Sequence, residues 1–193
     1  MIPAKADPDE QAAYLQETLD PRLADAQAGK RAVFFVDAAH FGLAPFLGFL
    51  WSLTRVFLKA PAGRQRFNIL GALNAVTHEL STVTNDTSIT AESLCTLLQK
   101  LAALNLAVPI TIFLDNARYQ KCALVQAMAV SLSLELCYLP AYSPNLNLIE
   151  RAWKFVKKQC LYSHYYANFA SFKAAIETCL CEMPTTHRAA LDS

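Results

Sequence analysis

The sequence has little net charge and little glycine. Its 193 residues carry 17 Lys and Arg against 16 Asp and Glu, a formal net charge of +1, and include only five glycines. Many nucleic-acid-binding domains are strongly basic, so the overall charge gives no support to nucleic-acid binding, and local patches would have to supply it. Hydrophobic residues make up 54% of the chain, enough for a sizeable core, which excludes a wholly disordered protein.

Zinc motifs and targeting segments are also missing. None of the six cysteines forms a Cys-x-x-Cys pair, and four histidines are present, which argues against a zinc site. The first thirty residues are polar and helical in pattern, unlike a signal peptide. The apolar stretch 32–53 contains Asp37, His40 and Pro45, which disfavour a membrane span, so we expect no membrane partner.

Two apolar segments that each end in an aspartate indicate buried strands. Residues 31–37 read R-A-V-F-F-V-D and residues 110–115 read I-T-I-F-L-D, apolar on both alternating faces, as is typical of central strands. Segments 67–77 and 80–84 predict an antiparallel hairpin, and 134–139 predicts a fifth strand.

Helical spacing between these strands completes a predicted α/β fold. The sequence predicts an N-terminal arm over 1–29 and a domain over 30–193. The order of elements implies a mixed five-stranded sheet with helices on both faces, the ribonuclease H-like architecture. The helices predicted within the domain cover 90–104, 119–132, 148–162 and 169–181.

Asp37 and Asp115 are candidates for a metal site. If their strands are parallel neighbours, the strand ends lie about 4.8 Å apart. Two carboxylates this close repel unless a cation lies between them, and magnesium prefers such hard oxygen ligands. The alternative is that each aspartate only starts a turn after its strand.

Glu150 is a third candidate, at the start of the helix predicted over 148–162. The pattern Asn147-x-x-Glu150 also fits a capping box, which would give the glutamate a purely structural role. Helical spacing puts one set of residues on the core face: Ile149, Trp153, Val156 and Cys160. An adjacent face carries Glu150, Lys154, Lys157 and Lys158, a set that either follows a phosphate backbone or is a solvated face with one salt bridge.

Three motifs in order resemble the DDE domain of Tc/mariner-type transposases, in particular the bacterial insertion-sequence branch. They are F-V-D-A-A-H-F at 35–41, I-F-L-D-N-A-R at 112–118 and Y-S-P-N-L-N-L-I-E-R-A-W-K-F-V-K at 142–157. The gap between Asp115 and Glu150 is 150 − 115 − 1 = 34 residues, the spacing of that superfamily.

The resemblance implies a ribonuclease H-like fold, transposon-end double-stranded DNA as substrate, and Asp37, Asp115 and Glu150 as the catalytic, metal-binding triad. We expect Mg²⁺ or Mn²⁺, as two ions, to serve DNA cleavage and strand transfer. Asn116 matches the family motif and is expected to orient a ligand or a phosphate. The residues expected to contact DNA phosphates are Arg118, Lys154, Lys157, Lys158, Arg64 and Arg66.

Departures from the family pattern leave alternatives open. Many relatives carry Pro where Leu148 stands and His near Tyr119 and Gln120. The family's helix-turn-helix region is not in this sequence, which fits a split gene, a truncation or a decayed copy. The alternatives to an active transposase domain are therefore a silent fragment that binds and regulates a transposase, and a stand-alone ribonuclease H-like nuclease. We further expect a homodimer, since two ends are joined, and a bacterial cytoplasmic, nucleoid-associated location.

Overall fold

The computed structural model describes residues 7–43, 65–162 and 164–186. Within these ranges, no helix combines the length and the apolar character needed to cross a membrane. The strands are β1 (Ala32–Gly42), β2 (Arg66–Asn74), β3 (Leu80–Asn85), β4 (Ile110–Leu114) and β5 (Leu134–Tyr138). The helices are α1 (Pro8–Tyr14), α2 (Asp20–Gln27), α3 (Ala91–Ala102), α4 (Ala123–Ser131), α5 (Ile149–Cys160) and α6 (Phe169–Thr186), with a π-helical turn at Leu15–Leu19 between α1 and α2.

The five strands form one mixed sheet in the order β3-β2-β1-β4-β5. β1 pairs in parallel with β4, and β4 in parallel with β5, while β2 runs antiparallel to both β1 and β3. The predicted mixed sheet with an antiparallel hairpin at one edge is therefore confirmed. The parallel ladder between β1 and β4 ends at the pair Val36 and Leu114.

β1 is longer than the sequence indicated. The prediction that it ends at Asp37 is wrong, because the strand continues to Gly42. Beyond Val36, β1 loses β4 as a neighbour but stays paired with β2, up to the pair Gly42 and Arg66. Asp37 is thus the first residue of β1 that is paired with β2 but no longer with β4.

The sheet separates two hydrophobic cores. Alternate residues of β1 point to opposite faces. Val33 and Phe35 pack with α5, α6 and the N-terminal helices, whereas Phe34 and Val36 pack with α3 and α4. Helices therefore cover both faces, as predicted, and each fully buried large apolar side chain contributes about 1.5–3 kcal/mol to stability.

Two helices bury the stripes that their spacing predicted. Thr90 caps α3 by accepting a hydrogen bond from the Ser93 backbone N–H. The buried stripe of α3 consists of Leu94, Leu97, Leu98 and Leu101, and that of α5 consists of Ile149, Trp153, Val156 and Cys160. Because these stripes face the core, the opposite face of each helix is the one that can contact solvent or a ligand.

The N-terminal helices pack against the sheet. Leu19 is buried in the same core as α5, and Arg22 pairs with Glu135 of β5 at 2.6 Å. Gln11 Nε2 donates to Ser143 Oγ at 2.9 Å, which connects α1 to the loop before α5. The division at residue 29 remains a prediction, but the arm contacts the loop that precedes the helix of Glu150.

Gly71 of β2 permits the close approach of α5. An added Cβ there would lie 2.7 and 2.8 Å from two ring carbons of Trp153 and 3.1 Å from Ile149. We expect Gly71→Ala to lower the free energy of unfolding by about 1–3 kcal/mol, because the ring has to move. Chemical denaturation measures this, with Gly42→Ala as the matched control, since a Cβ there meets nothing within 4 Å. Equal stability of the two variants would contradict the close contact.

Candidate active site

Asp37 and Asp115 follow the last pair of the parallel ladder. Val36 and Leu114 are register partners, and each immediately precedes one of the aspartates. Both aspartates are partly buried. Strand alternation puts Asp37 on the same face as Phe35, the face covered by α5. The Asp115 carboxylate accepts a hydrogen bond from Asn147 in the loop before α5.

Glu150 lies in the first turn of α5 and is partly buried. The helix is held on the sheet by Trp153, whose ring rests on Gly71. Gly71 is the register partner of Asp37 in the neighbouring strand. One turn of α5 therefore separates Glu150 from a side chain that packs beside Asp37.

The other two acidic residues act electrostatically on Asp37. Burial raises the pKa of Asp37 most, and the negative charges of Asp115 and, to a lesser extent, Glu150 raise it further, to about 7. A hydrogen bond from the Ala38 backbone opposes this rise in pKa. Burial also raises the pKa of Asp115, against a lowering by the hydrogen bond from Asn147. Negative charge is thus concentrated in a partly desolvated space.

The indole of Trp153 lies near Asp37. It lowers the pKa of that carboxyl, as a nearby N–H donor does. Its Nε1 is nevertheless buried without a hydrogen bond of good geometry to any described residue. The indole is therefore a neighbour of Asp37 and not a hydrogen-bonded partner.

The chemistry of these three carboxylates suits a divalent cation, although their side chains do not form a complete metal site. Across 7–43, 65–162 and 164–186, no three His, Cys, Asp or Glu side chains are arranged to hold a metal ion. Repulsion from Asp115 and Glu150 adds to the rise that burial causes in the pKa of Asp37. A cation among these carboxylates would remove that repulsion. Asp37, Asp115 and Glu150 nevertheless carry the hard oxygen ligands that Mg²⁺ prefers.

The capping-box interpretation of Asn147 and Glu150 is wrong. α5 begins after Leu148, and no side chain caps it. The side chain of Asn147 instead contacts the Val36 carbonyl and Asp115, because the loop turns it towards the sheet. Glu150 therefore has no capping duty, and its carboxylate is available for other contacts.

The other residues predicted for the site differ in their exposure. Asn116 directly follows Asp115, and its amide donates to the Leu139 carbonyl, which ties the ends of β4 and β5. No ion pair joins Glu150 to Lys154 in the part of the chain that the structure describes. Arg66, Arg118, Lys154 and Lys158 are exposed, Lys157 is partly buried, and Arg64 lies outside the described residues.

Sequence reasoning missed three neighbours of the acidic residues. Asn147 was interpreted as a cap, and Trp153 only as core, because helical spacing cannot show what lies across an interface. Tyr119 is the third: burial raises the pKa of its phenol most, and the charges of Asp37 and Asp115 add to the rise. The available signal was that Asn147 and Trp153 lie within the quoted motif at 142–157 and that Tyr119 directly follows the motif at 112–118.

The raised pKa of Asp37 has a consequence for stability. The folded protein binds this proton more tightly than the unfolded chain, so the stabilisation is complete below about pH 4 and is lost as pH rises through about 7. In metal-free buffer, we compare the unfolding free energy of Asp37→Asn with that of the wild type at each pH. We expect the difference, variant minus wild type, to be about 1–3 kcal/mol larger at pH 8 than at pH 4. Urea denaturation at both pH values measures this, with the exposed Asp20→Asn as control. The same difference at both pH values would contradict the expectation.

Solved structures share this fold. The Mos1 transposase paired-end complex with left transposon end has a TM-score of 0.64 and 12% identity, covering 100% of this chain and 64% of that chain. The HTLV-2 integrase catalytic core domain in complex with magnesium has a TM-score of 0.54 and 13% identity, covering 80% of this chain and 87% of that chain. Similarity at such low identity concerns the fold, and it confirms the predicted ribonuclease H-like class.

One sequence relative and one family model match this chain. The uncharacterized 39 kDa protein of insertion element IS630 from Shigella sonnei is 27% identical over 149 residues, which are 76% of this chain and 42% of that protein. This chain therefore spans about two fifths of the curated relative's length. Residues 32–173, most of the chain and the range that holds all three acidic positions, match the DDE superfamily endonuclease family. On this evidence, the chain belongs to the DDE superfamily endonuclease family.

Proposed function

We propose that this domain cleaves DNA at the ends of a mobile element and joins those ends to target DNA, with Asp37, Asp115 and Glu150 as its metal-binding triad. One observation carries the proposal: two partly buried aspartates follow register partners on neighbouring parallel strands, and a glutamate on α5 acts electrostatically on one of them. This repulsion lowers the stability of the fold. Ionisable groups with shifted pKa values that cost stability in this way are typical of functional sites.

The proposed mechanism relies on position and charge. Mg²⁺ or Mn²⁺, as a pair of ions when bound, supplies activation of the attacking oxygen and stabilisation of the leaving oxygen. Asp37 and Asp115 would hold these ions from the sheet, and Glu150 from the helix. Because Asp37 lies in β1, Glu150 lies in α5 and Asp115 directly follows β4, the backbone of the site would need little rearrangement when DNA arrives.

Exposed cations near the triad support contact with the DNA backbone. Arg118 lies three residues beyond Asp115, and Lys154 lies one helical turn beyond Glu150. Neither is held in an ion pair by another described residue. We propose that they hold phosphates close to the reacting strand and add affinity without sequence specificity, with Lys157, Lys158 and Arg66 further out.

Replacement of Glu150 by Gln tests the triad. Loss of a supporting residue at a metal site already costs about 10–100-fold, so loss of a ligand should lower Mn²⁺-dependent plasmid nicking by about 100-fold or more. Gel assays of supercoiled plasmid measure the rate, and circular dichroism checks the fold. Glu92→Gln is the matched control, because Glu92 is also a first-turn helix glutamate but is exposed and distant in the chain. Nicking at the wild-type rate by Glu150→Gln would rule out the proposed role.

A second candidate function rests on the near-neutral net charge of +1, which is low for a domain that grips DNA alone. The chain would then bind an active transposase and inhibit it. This alternative predicts no nicking by the wild-type chain and a lower transposition rate when it is mixed with an active relative. Preferential cleavage of RNA–DNA hybrids over DNA would instead support a stand-alone nuclease.

A further inference from the structure

The loop before α5 buries a polar side chain next to the proposed triad. Asn147 is only 2% exposed, and it lies between the short 3-10 turn Pro144–Leu146 and the start of α5. Moving an amide out of water is costly unless new hydrogen bonds replace those to water. The contacts that this amide makes therefore indicate its role.

The amide nitrogen of Asn147 links the ends of two strands. Nδ2 lies 3.3 Å from the Val36 carbonyl oxygen and 3.3 Å from Asp115 Oδ1. Val36 immediately precedes Asp37, so the amide spans the point where β1 and β4 part. Both neighbours are hydrogen-bond acceptors, so each amide hydrogen has a partner. If the amide were flipped, its oxygen would face these two acceptor oxygens, which is unfavourable.

The main chain of Asn147 holds the third acidic residue. Its carbonyl accepts a hydrogen bond from the Glu150 N–H at 3.1 Å, and its own N–H donates to the Pro144 carbonyl at 3.2 Å. One residue thus contacts the backbone beside Asp37, the carboxylate of Asp115 and the backbone of Glu150. Its position couples the geometry of all three.

Stability alone does not account for this residue. Asn147 Oδ1 is buried and accepts no hydrogen bond from any residue in the described ranges. A buried acceptor without a donor costs about 1–3 kcal/mol, which a leucine of similar volume would avoid. Capping is also excluded, because no side chain caps α5.

We propose that Asn147 is a positioning residue for the triad: its side-chain amide fixes the Asp115 carboxylate to the end of the β1–β4 ladder, while its main chain fixes Glu150. The inference rests on the proposed function, because it assigns Asn147 to the same site. A carboxylate held in one orientation loses less rotational freedom when it binds a cation. Loss of the amide should therefore weaken cation binding without removing any ligand.

Mn²⁺ binding by the full chain without DNA tests this role, independently of activity. Calorimetric titration of Asn147→Leu should show affinity at least about 10-fold below wild type, the usual effect of losing a residue that orients a ligand. The variant should still fold, because the apolar side chain fills the same volume, although its unfolding free energy should fall as the Val36 carbonyl and Asp115 lose a donor. Asn145→Ala is the matched control, since Asn145 belongs to the same loop but is exposed, and its amide lies 3.4 Å from Gln11.

A double-mutant cycle shows whether Asn147 acts through Asp115. In the Asp115→Asn background, Asn147→Leu should change Mn²⁺ affinity by much less than it does alone, since the group that it orients has lost its charge. Fully additive losses of affinity would instead indicate a general effect on the loop, and would overturn the proposal.

The remaining outcomes are equally decisive. Wild-type Mn²⁺ affinity in a folded Asn147→Leu variant overturns the positioning role, and leaves the triad standing if Glu150→Gln still abolishes nicking. If Asn147→Leu does not fold, Asn147→Ser is measured in its place, and unfolding of both variants shows that the amide serves folding and overturns the proposal. A wild-type chain that neither binds Mn²⁺ nor nicks DNA overturns the proposed function itself.

Discussion

The contact between Trp153 and Gly71 is the constraint on which the site depends. The indole of α5 rests directly on the backbone of β2, at the position paired with Asp37. A side chain at Gly71 would meet the ring of Trp153, so the ring would have to move. Van der Waals contact in the core, and not attraction among the acidic groups, therefore holds the helix that carries Glu150 against the sheet.

That repulsion opposes folding and is tolerated because packing dominates. Asp37 is partly desolvated beside two other carboxylates, which raises its pKa to about 7. Around it lie two continuous hydrophobic cores, one on each face of the sheet, whose burial outweighs the local electrostatic cost. A stable scaffold that holds an unfavourable cluster of charge is the arrangement expected of a cation-dependent site.

Polar contacts around the triad link elements that are distant in the chain. Gln11 of α1 contacts Ser143, four residues before Asn147, and Asn147 contacts both acidic strands. The N-terminal helices thus support the loop that delivers Glu150. This contact connects the segment predicted as an N-terminal arm to the loop before α5.

Much of the fold follows from the sequence by itself. Apolar runs before Asp37 and Asp115 specify buried parallel strands, and the leucine stripe of α3 specifies a packed helix, because periodicity reports which faces lose contact with water. The three motifs and the gap between Asp115 and Glu150 indicated the family, which the match over 32–173 confirmed. The extension of β1 to Gly42 could not be predicted, since strand length depends on which neighbour remains paired.

Only the tertiary structure decided what Asn147, Trp153 and Gly71 do. Local spacing made Asn147 a cap and Trp153 an ordinary core residue, because a one-dimensional pattern describes a helix but not the surface that it meets. Contacts across the sheet pair residues that are far apart in sequence: Asn147 with Val36, and Trp153 with Gly71. The sequence thus determined the elements and the acidic residues, while close packing between elements determined how those residues face one another.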